Sequence, residues 1–170
     1  MATVLFYILS AVALLATLMC VTRRNPVHAV IYLVHAFFAL AMIFYLLGAP
    51  LVAAWEVIIY AGAIMVLFMF IIMMLELAPS EEAPGLDWAV FVPVLLLSLT
   101  LLGATIAIIA ADPAGAGGVP DYYASPRTFG YALFKEYALA VEVVSFQLLF
   151  AAVGAFYVGK AGKTKGRWMR

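Results

Sequence analysis

Long uncharged stretches dominate the chain, and short polar breaks separate them. Each stretch is close to the roughly 20 apolar residues that an α-helix needs to cross a bilayer. The stretches do not alternate apolar and polar residues, which disfavours transmembrane strands. The pattern predicts an all-α integral membrane protein with about five transmembrane helices, at 1–22, 26–47, 51–75, 88–111 and 138–159.

Proline, glycine and polar residues mark the breaks between these helices. Segments 23–26 and 48–50 are tight turns, and each ends in a proline that suits the first turn of the next helix. Segment 78–87 is acidic, and 112–126 contains enough proline and glycine to predict a flexible loop. Tyrosines in the next residues, 127–137, predict a short interfacial helix at the membrane–water boundary.

Composition leaves no room for a soluble domain. Hydrophobic residues make up 68% of the 170 residues and charged residues only 11%, whereas a soluble domain carries about 25% charged residues. We therefore expect residues 1–170 to form a single membrane domain in contact with lipid. No basic stripe is interleaved with aromatic residues, so nothing indicates a nucleic-acid partner.

The basic residues predict the orientation of the chain. The net charge is zero, but basic side chains concentrate in the first polar break and in the tail 160–170. Basic loops favour the cytoplasmic side, which predicts an outside N-terminus and a cytoplasmic tail. The outside then receives only Arg127 and Lys135, and the inside receives Arg23, Arg24, Lys160, Lys163, Lys165, Arg167 and Arg170.

Cysteine and histidine offer no redox or metal chemistry. Cys20, the single cysteine, can form neither an internal disulfide nor an iron–sulfur cluster, and we interpret it as a small hydrophobic residue. His28 and His35 lie two turns apart on one helix face, and two such ligands are too few for a metal site. We expect His28 near the membrane boundary and His35 deeper, in a hydrogen bond to a neighbouring helix.

Two acids interrupt the apolar stretches. Glu56 lies in the third predicted helix and Glu142 in the fifth. A charged side chain inside a bilayer is costly, and such residues commonly mark ion or proton pathways. Each acid is about five residues from its helix start, so the two can lie at similar depth along a hydrated path. The alternative is that both acids reach the headgroups at the membrane boundary.

A mid-helix glycine follows Glu56. Tyr60 lies four residues after Glu56, on the same side of a helix, and Gly62 lies in the segment Tyr60-Ala61-Gly62-Ala63. A glycine here permits either close helix packing or a π-bulge. Small residues at four-residue spacing add two further faces for close association, Gly103, Ala107 and Ala111 on one helix and Ala151, Ala155 and Gly159 on another.

The odd number of helices favours a subunit of a larger assembly. Five helices without an internal repeat cannot form the two inverted halves found in many transporters. We therefore expect packing against other membrane subunits rather than a stand-alone homo-oligomer. An independent ion transporter or channel and a purely structural scaffold are the alternatives.

Several runs of sequence resemble a known family. They are NPVH at 25–28, EVIIYAGAIMVLF at 56–68, the pattern of aromatic residues and glycine at 129–137, and LAVE at 139–142. They are similar to subunit J of the bacterial proton-translocating NADH:quinone oxidoreductase, respiratory complex I, and to its mitochondrial counterpart, NADH dehydrogenase subunit 6. The resemblance covers nearly the whole chain.

The resemblance implies a non-redox subunit in the membrane arm of the bacterial inner membrane. It implies that subunits A, K, H and the antiporter-like subunit N are neighbours, and that NADH, FMN, iron–sulfur clusters and quinone bind to other subunits. It also implies a π-bulge at Tyr60–Gly62 that becomes regular α-helix during turnover and gates a hydrated line of acids. Neither His35 nor the loop 112–126 receives a role from it.

Overall fold

The computed structural model describes residues 2–75, 88–111 and 125–164. The described residues are almost entirely helical and contain no strand. The predicted connections at 78–87 and 112–124 and the last residues of the predicted tail, 165–170, lie outside the described residues.

Seven α-helices and one π-helical segment make up the described part of the chain. The third predicted helix is a continuous rod in which α3, the π segment and α4 follow one another without a break. In chain order the elements are α1 (Ala2–Thr22), α2 (Pro26–Leu46), α3 (Pro50–Trp55), the π segment (Glu56–Ile64), α4 (Met65–Met74), α5 (Trp88–Ala111), α6 (Pro126–Lys135) and α7 (Ala138–Thr164).

Five stretches of these helices are long and apolar enough to cross a membrane. This confirms, for the described residues, the prediction of an all-α protein with five membrane-spanning helices. The stretches are Thr3–Thr22, Pro26–Leu46, Pro50–Met74, Phe91–Ala110 and Ala138–Lys160.

The helices form two compact units. The first contains α1 to α5, and the second contains α6 and α7. Within the second unit, Ser125 caps α6 by accepting a hydrogen bond from the Thr128 N–H at 3.2 Å, and α6 packs on α7. No residue in the membrane-spanning window of α7 is buried.

Helix α2 is capped tightly at both ends. At its start, the Asn25 side chain accepts a hydrogen bond from the Val27 N–H at 3.0 Å, and Pro26 occupies the first helical position. At its end, the Ala49 N–H donates to the Phe44 carbonyl at 3.0 Å and the Gly48 N–H donates to the Tyr45 carbonyl at 3.1 Å. These two bonds form a Schellman motif.

The turn between α1 and α2 is held by an arginine against a buried tyrosine. The Arg23 guanidinium lies 5.3 Å from the centre of the Tyr32 ring and donates a hydrogen bond to the Tyr32 hydroxyl at 3.4 Å. Tyr32 is fully buried. This contact ties the polar turn to the body of the helix pair.

Helix α2 is the centre of the first unit because a packed cluster lies on each side of it. One cluster joins α2 to α1 and α5 through Leu9, Val12, Ala16, Tyr32, Ala36, Ala39, Leu97, Leu101 and Ala104. The other joins α2 to α4 through Val30, Met65 and Ile72. The third span therefore packs on a helix that α1 and α5 already support.

Gly48 gives a test of the turn that ends α2. Its φ of 82° lies in the left-handed region, where a side chain costs about 1–2 kcal/mol. We expect Gly48→Ala to lower the midpoint of thermal unfolding of the detergent-solubilised chain, followed by far-ultraviolet circular dichroism. The control is Gly103→Ala, because a Cβ at Gly103 meets nothing within 4 Å. Equal midpoints for the two variants would contradict the assignment.

Candidate functional site

The π segment is the feature that sets the third span apart from the other spans. It covers nine residues, Glu56–Ile64, and includes Tyr60, Ala61, Gly62 and Ala63. At its end the Met65 N–H donates to the Tyr60 carbonyl, which is the five-residue step of a π-helix rather than the four-residue step of an α-helix. Such segments are rare and occur frequently at functional sites.

Gly62 fits the wide turn of the π segment closely. A Cβ at this position would lie 3.2 Å from the Val57 carbonyl oxygen, which is tighter than an ordinary van der Waals contact. The other helical glycines, Gly103, Gly130, Gly154 and Gly159, have open space where a Cβ would lie. Any larger residue at position 62 must therefore push a backbone carbonyl of the π ladder aside.

The π segment is anchored at its ends and open in its middle. Ala53 before it and Met65 after it are buried, at 7% and 6% exposure, whereas no residue of the segment itself is buried. Between the anchors, the Tyr60 ring packs against the Phe37 ring of α2, with 5.3 Å between ring centres. The segment is thus supported along one side by α2.

The two predicted acids occupy different units of the chain. Glu56 is the first residue of the π segment and is half-buried. Among the described residues, its carboxylate has no hydrogen-bond or ion-pair partner. Glu142 is an exposed residue in the first turns of α7, in the second unit. The expectation that both acids lie at one depth stays a prediction.

An apolar cavity of about 440 Å³ lies beside the start of the π segment. Phe38 of α2, Val57 of the π segment and Ile108 of α5 are among its lining residues, so it separates the third span from α5 on the surface of α2. The Thr105 hydroxyl in its wall already donates to the Leu101 carbonyl at 2.8 Å. The cavity can therefore take apolar groups.

His35 forms the predicted hydrogen bond to a neighbouring helix. Its Nε2 lies 2.7 Å from the Ser98 hydroxyl oxygen on α5, and its Nδ1 lies 2.7 Å from the Ile31 carbonyl oxygen. Sequence reasoning did not single out Ser98. The signal was present, because Ser98 is a hydroxyl residue within an apolar span, but its partner could not be identified without the packing of α5 on α2. Among the described residues, no group of three or more histidine, cysteine or acidic side chains can hold a metal ion.

Comparison with known proteins points consistently to one family. Residues 16–158 match the family described as NADH-ubiquinone/plastoquinone oxidoreductase chain 6. The chain is 42% identical to NADH-quinone oxidoreductase subunit J of Pseudomonas aeruginosa, covering 91% of this chain and 95% of that protein. It is 42% identical to the subunit J of Escherichia coli K12, covering 91% and 85%, and 34% identical to that of Rhodobacter capsulatus, covering 88% and 77%.

A single methyl group tests whether Gly62 sustains the π segment. The 3.2 Å approach to the Val57 carbonyl should make Gly62→Ala favour regular α-helix. We expect hydrogen–deuterium exchange over residues 56–64 to slow by roughly twofold to fivefold, the factor that corresponds to about 0.5–1 kcal/mol between glycine and alanine in a helix.

The control for this experiment is Gly154→Ala, whose added Cβ meets nothing within 4 Å. It should leave exchange over residues 56–64 unchanged. Unchanged or faster exchange in Gly62→Ala would show that Gly62 does not hold the segment in its wide form.

Proposed function

The chain belongs to the NADH-ubiquinone/plastoquinone oxidoreductase chain 6 family, and we propose that it couples quinone reduction to proton translocation in respiratory complex I. It is a multi-pass membrane subunit of an NADH:quinone oxidoreductase and a non-catalytic member of that enzyme. The observation that carries the proposal is the nine-residue π segment inside a membrane span.

The π segment acts as the gate. A π-helix holds more residues in each turn than an α-helix, because its hydrogen bonds reach one residue further. Conversion to α-helix therefore lengthens the segment and rotates α4 relative to α3. Since its hydrogen bonds are exchanged rather than lost, the conversion is compatible with the apolar membrane interior. Coupling works as a shift in population between these two shapes of the third span.

Glu56 places an ionisable group where the gate begins. It is the first residue of the π segment, so a change of helix type redirects its side chain. An intramembrane carboxyl group is a candidate proton carrier because its charged form is disfavoured in lipid. Glu142, on α7, is the second carboxyl of the proposed path. Both act by binding and releasing protons while the gate opens and closes.

The redox chemistry belongs to other subunits. NADH, FMN, iron–sulfur clusters and quinone bind to other subunits of the complex. This chain contributes the change in shape of its third span. Its neighbours are the membrane subunits A, K and H and the antiporter-like subunit N. We place the chain in the bacterial inner membrane, with the N-terminus outside and the tail in the cytoplasm. The exposed apolar surface of α7 supports packing against such partners.

Two alternative functions make different predictions. An independent transporter or channel would conduct ions when the purified chain alone is placed in liposomes. A structural scaffold would need neither the acids nor the π segment for proton translocation. The exposed apolar helix surfaces and the odd number of spans among the described residues favour the subunit over the independent transporter.

Replacing Gly62 with leucine tests the gate. We expect Gly62→Leu to lower proton translocation per NADH oxidised by roughly tenfold, since forcing a side chain into a filled space costs about 1–3 kcal/mol. The complex should still assemble. The measurement is proton uptake and NADH oxidation in inverted membrane vesicles, with assembly followed on a native gel stained for NADH oxidation. Gly130→Leu, at an open helical position of α6, is the control. Normal proton uptake per NADH in Gly62→Leu would refute the gate.

Replacing both acids separates the coupling subunit from the scaffold. We expect the double variant Glu56→Gln, Glu142→Gln to assemble but to translocate fewer protons per NADH, because amides cannot carry protons. Glu136→Gln removes an exposed acid just before α7, outside the span, and should have no effect. A double variant that assembles and pumps normally would support the scaffold instead.

A further inference from the structure

Two polar contacts lie seven residues apart along the seam between α2 and α5. His35 Nε2 is 2.7 Å from the Ser98 hydroxyl, and the Thr105 hydroxyl oxygen lies 3.8 Å from the Met42 sulfur. The spacing is the same on both helices, so α2 and α5 run parallel and in fixed register. A seven-residue repeat is the geometry of helices that pack at a small crossing angle. Sliding α5 by one turn would break both contacts.

The hydrogen bonds of His35 use both of its ring nitrogens. The Ile31 carbonyl can only accept, so Nδ1 carries the proton and donates to it across 2.7 Å. In the neutral ring, Nε2 then accepts from the Ser98 hydroxyl. The ring is therefore held to its own helix at one nitrogen and to α5 at the other.

The opposite side of α2 carries the contacts to the third span. Phe37 is two residues after His35, which places it about 200° further around the helix. Its ring packs on Tyr60 in the middle of the π segment. The same helix is thus hydrogen-bonded to α5 on one side and in contact with the proposed moving segment on the other.

We propose that His35 is a positioning residue for coupling: its hydrogen bond to Ser98 fixes α2 to α5, and Phe37 thereby offers Tyr60 a stationary surface. This inference rests on the proposed function, because a stationary surface matters only if the π segment changes shape. Without the bond, α2 can follow the third span when its helix type changes. Conversion of the π segment to α-helix then displaces α4 less, relative to the other helices of the first unit.

The test uses four variants in the assembled complex. His35→Ala and Ser98→Ala remove the interhelical bond. His35→Gln keeps a side-chain amide near the position of Nε2 but cannot become an imidazolium. Thr100→Val removes a nearby hydroxyl on α5 that donates only to its own helix, to the Leu96 carbonyl at 2.8 Å, and serves as the control. Proton uptake per NADH, the NADH:quinone rate and assembly on a native gel are measured in inverted vesicles.

We expect His35→Ala and Ser98→Ala to lower proton uptake per NADH by about threefold, because an average interhelical hydrogen bond in a membrane biases a two-state balance by about that factor. The NADH:quinone rate should stay normal, which a general loss of structure would not permit. His35→Gln and Thr100→Val should pump normally. If the complex with His35→Ala fails to assemble, the test rests on the smaller change Ser98→Ala, compared with His35→Gln.

Two results would overturn the inference. If His35→Gln is as impaired as His35→Ala while Ser98→Ala pumps normally, His35 carries protons rather than positioning α2. If Ser98→Ala and the assembled His35 variants all pump normally, the seam has no part in coupling. The Gly62→Leu variant separates these outcomes from failure of the gate itself. If Gly62→Leu impairs pumping but Ser98→Ala does not, only the positioning role of His35 is refuted. If Gly62→Leu pumps normally, the gate itself is refuted.

Discussion

The hydrogen bonding of the backbone inside lipid constrains everything else in this protein. Lipid offers no partner for an unpaired N–H or carbonyl group, so each membrane-spanning segment must satisfy its backbone internally. That requirement explains why the described chain is helical and why its capped turn at Asn25 and its Schellman turn at Gly48 lie at helix ends. The π segment meets the same requirement in a different way, because its carbonyls keep partners one residue further along. A span can therefore hold two internal arrangements without exposing polar backbone to lipid.

Helix α2 connects the third span to the other helices of the first unit. It packs against α1 and α5 through one set of small and apolar side chains and against α4 through another. The buried alanines Ala36 and Ala39 let neighbouring helices approach closely. The Tyr32 ring is fully buried below the Arg23 guanidinium. The third span is held before and after the π segment by buried Ala53 and Met65. The segment between them has room to change because none of its own side chains is buried.

The spans could be predicted from sequence because length and hydropathy alone determine them. The resemblance also placed a π-bulge around Tyr60–Gly62, and the π segment covers those residues. The full extent of the π segment, from Glu56 to Ile64, could not be predicted. The choice between four- and five-residue hydrogen bonds depends on small packing differences, and no residue type indicates these by itself. Gly62 is a partial signal, because glycine permits the wide turn without requiring it. Ser98 was missed for another reason. A serine in an apolar helix usually bonds to its own backbone, and only the parallel register of α5 on α2 brings it to His35.

The tight turn at Gly48 has a mechanical consequence for the third span. Only three residues, 47–49, separate α2 from α3, and two backbone hydrogen bonds close the turn. The beginning of the third span is thus tethered to a helix that is itself braced on two sides. A rod that grows while one end is tethered can extend only at the other end. If the π segment lengthens as proposed, the turn holds its start in place, so the displacement must appear as a shift of Met65 and Ile72 along their packing partner Val30 on α2.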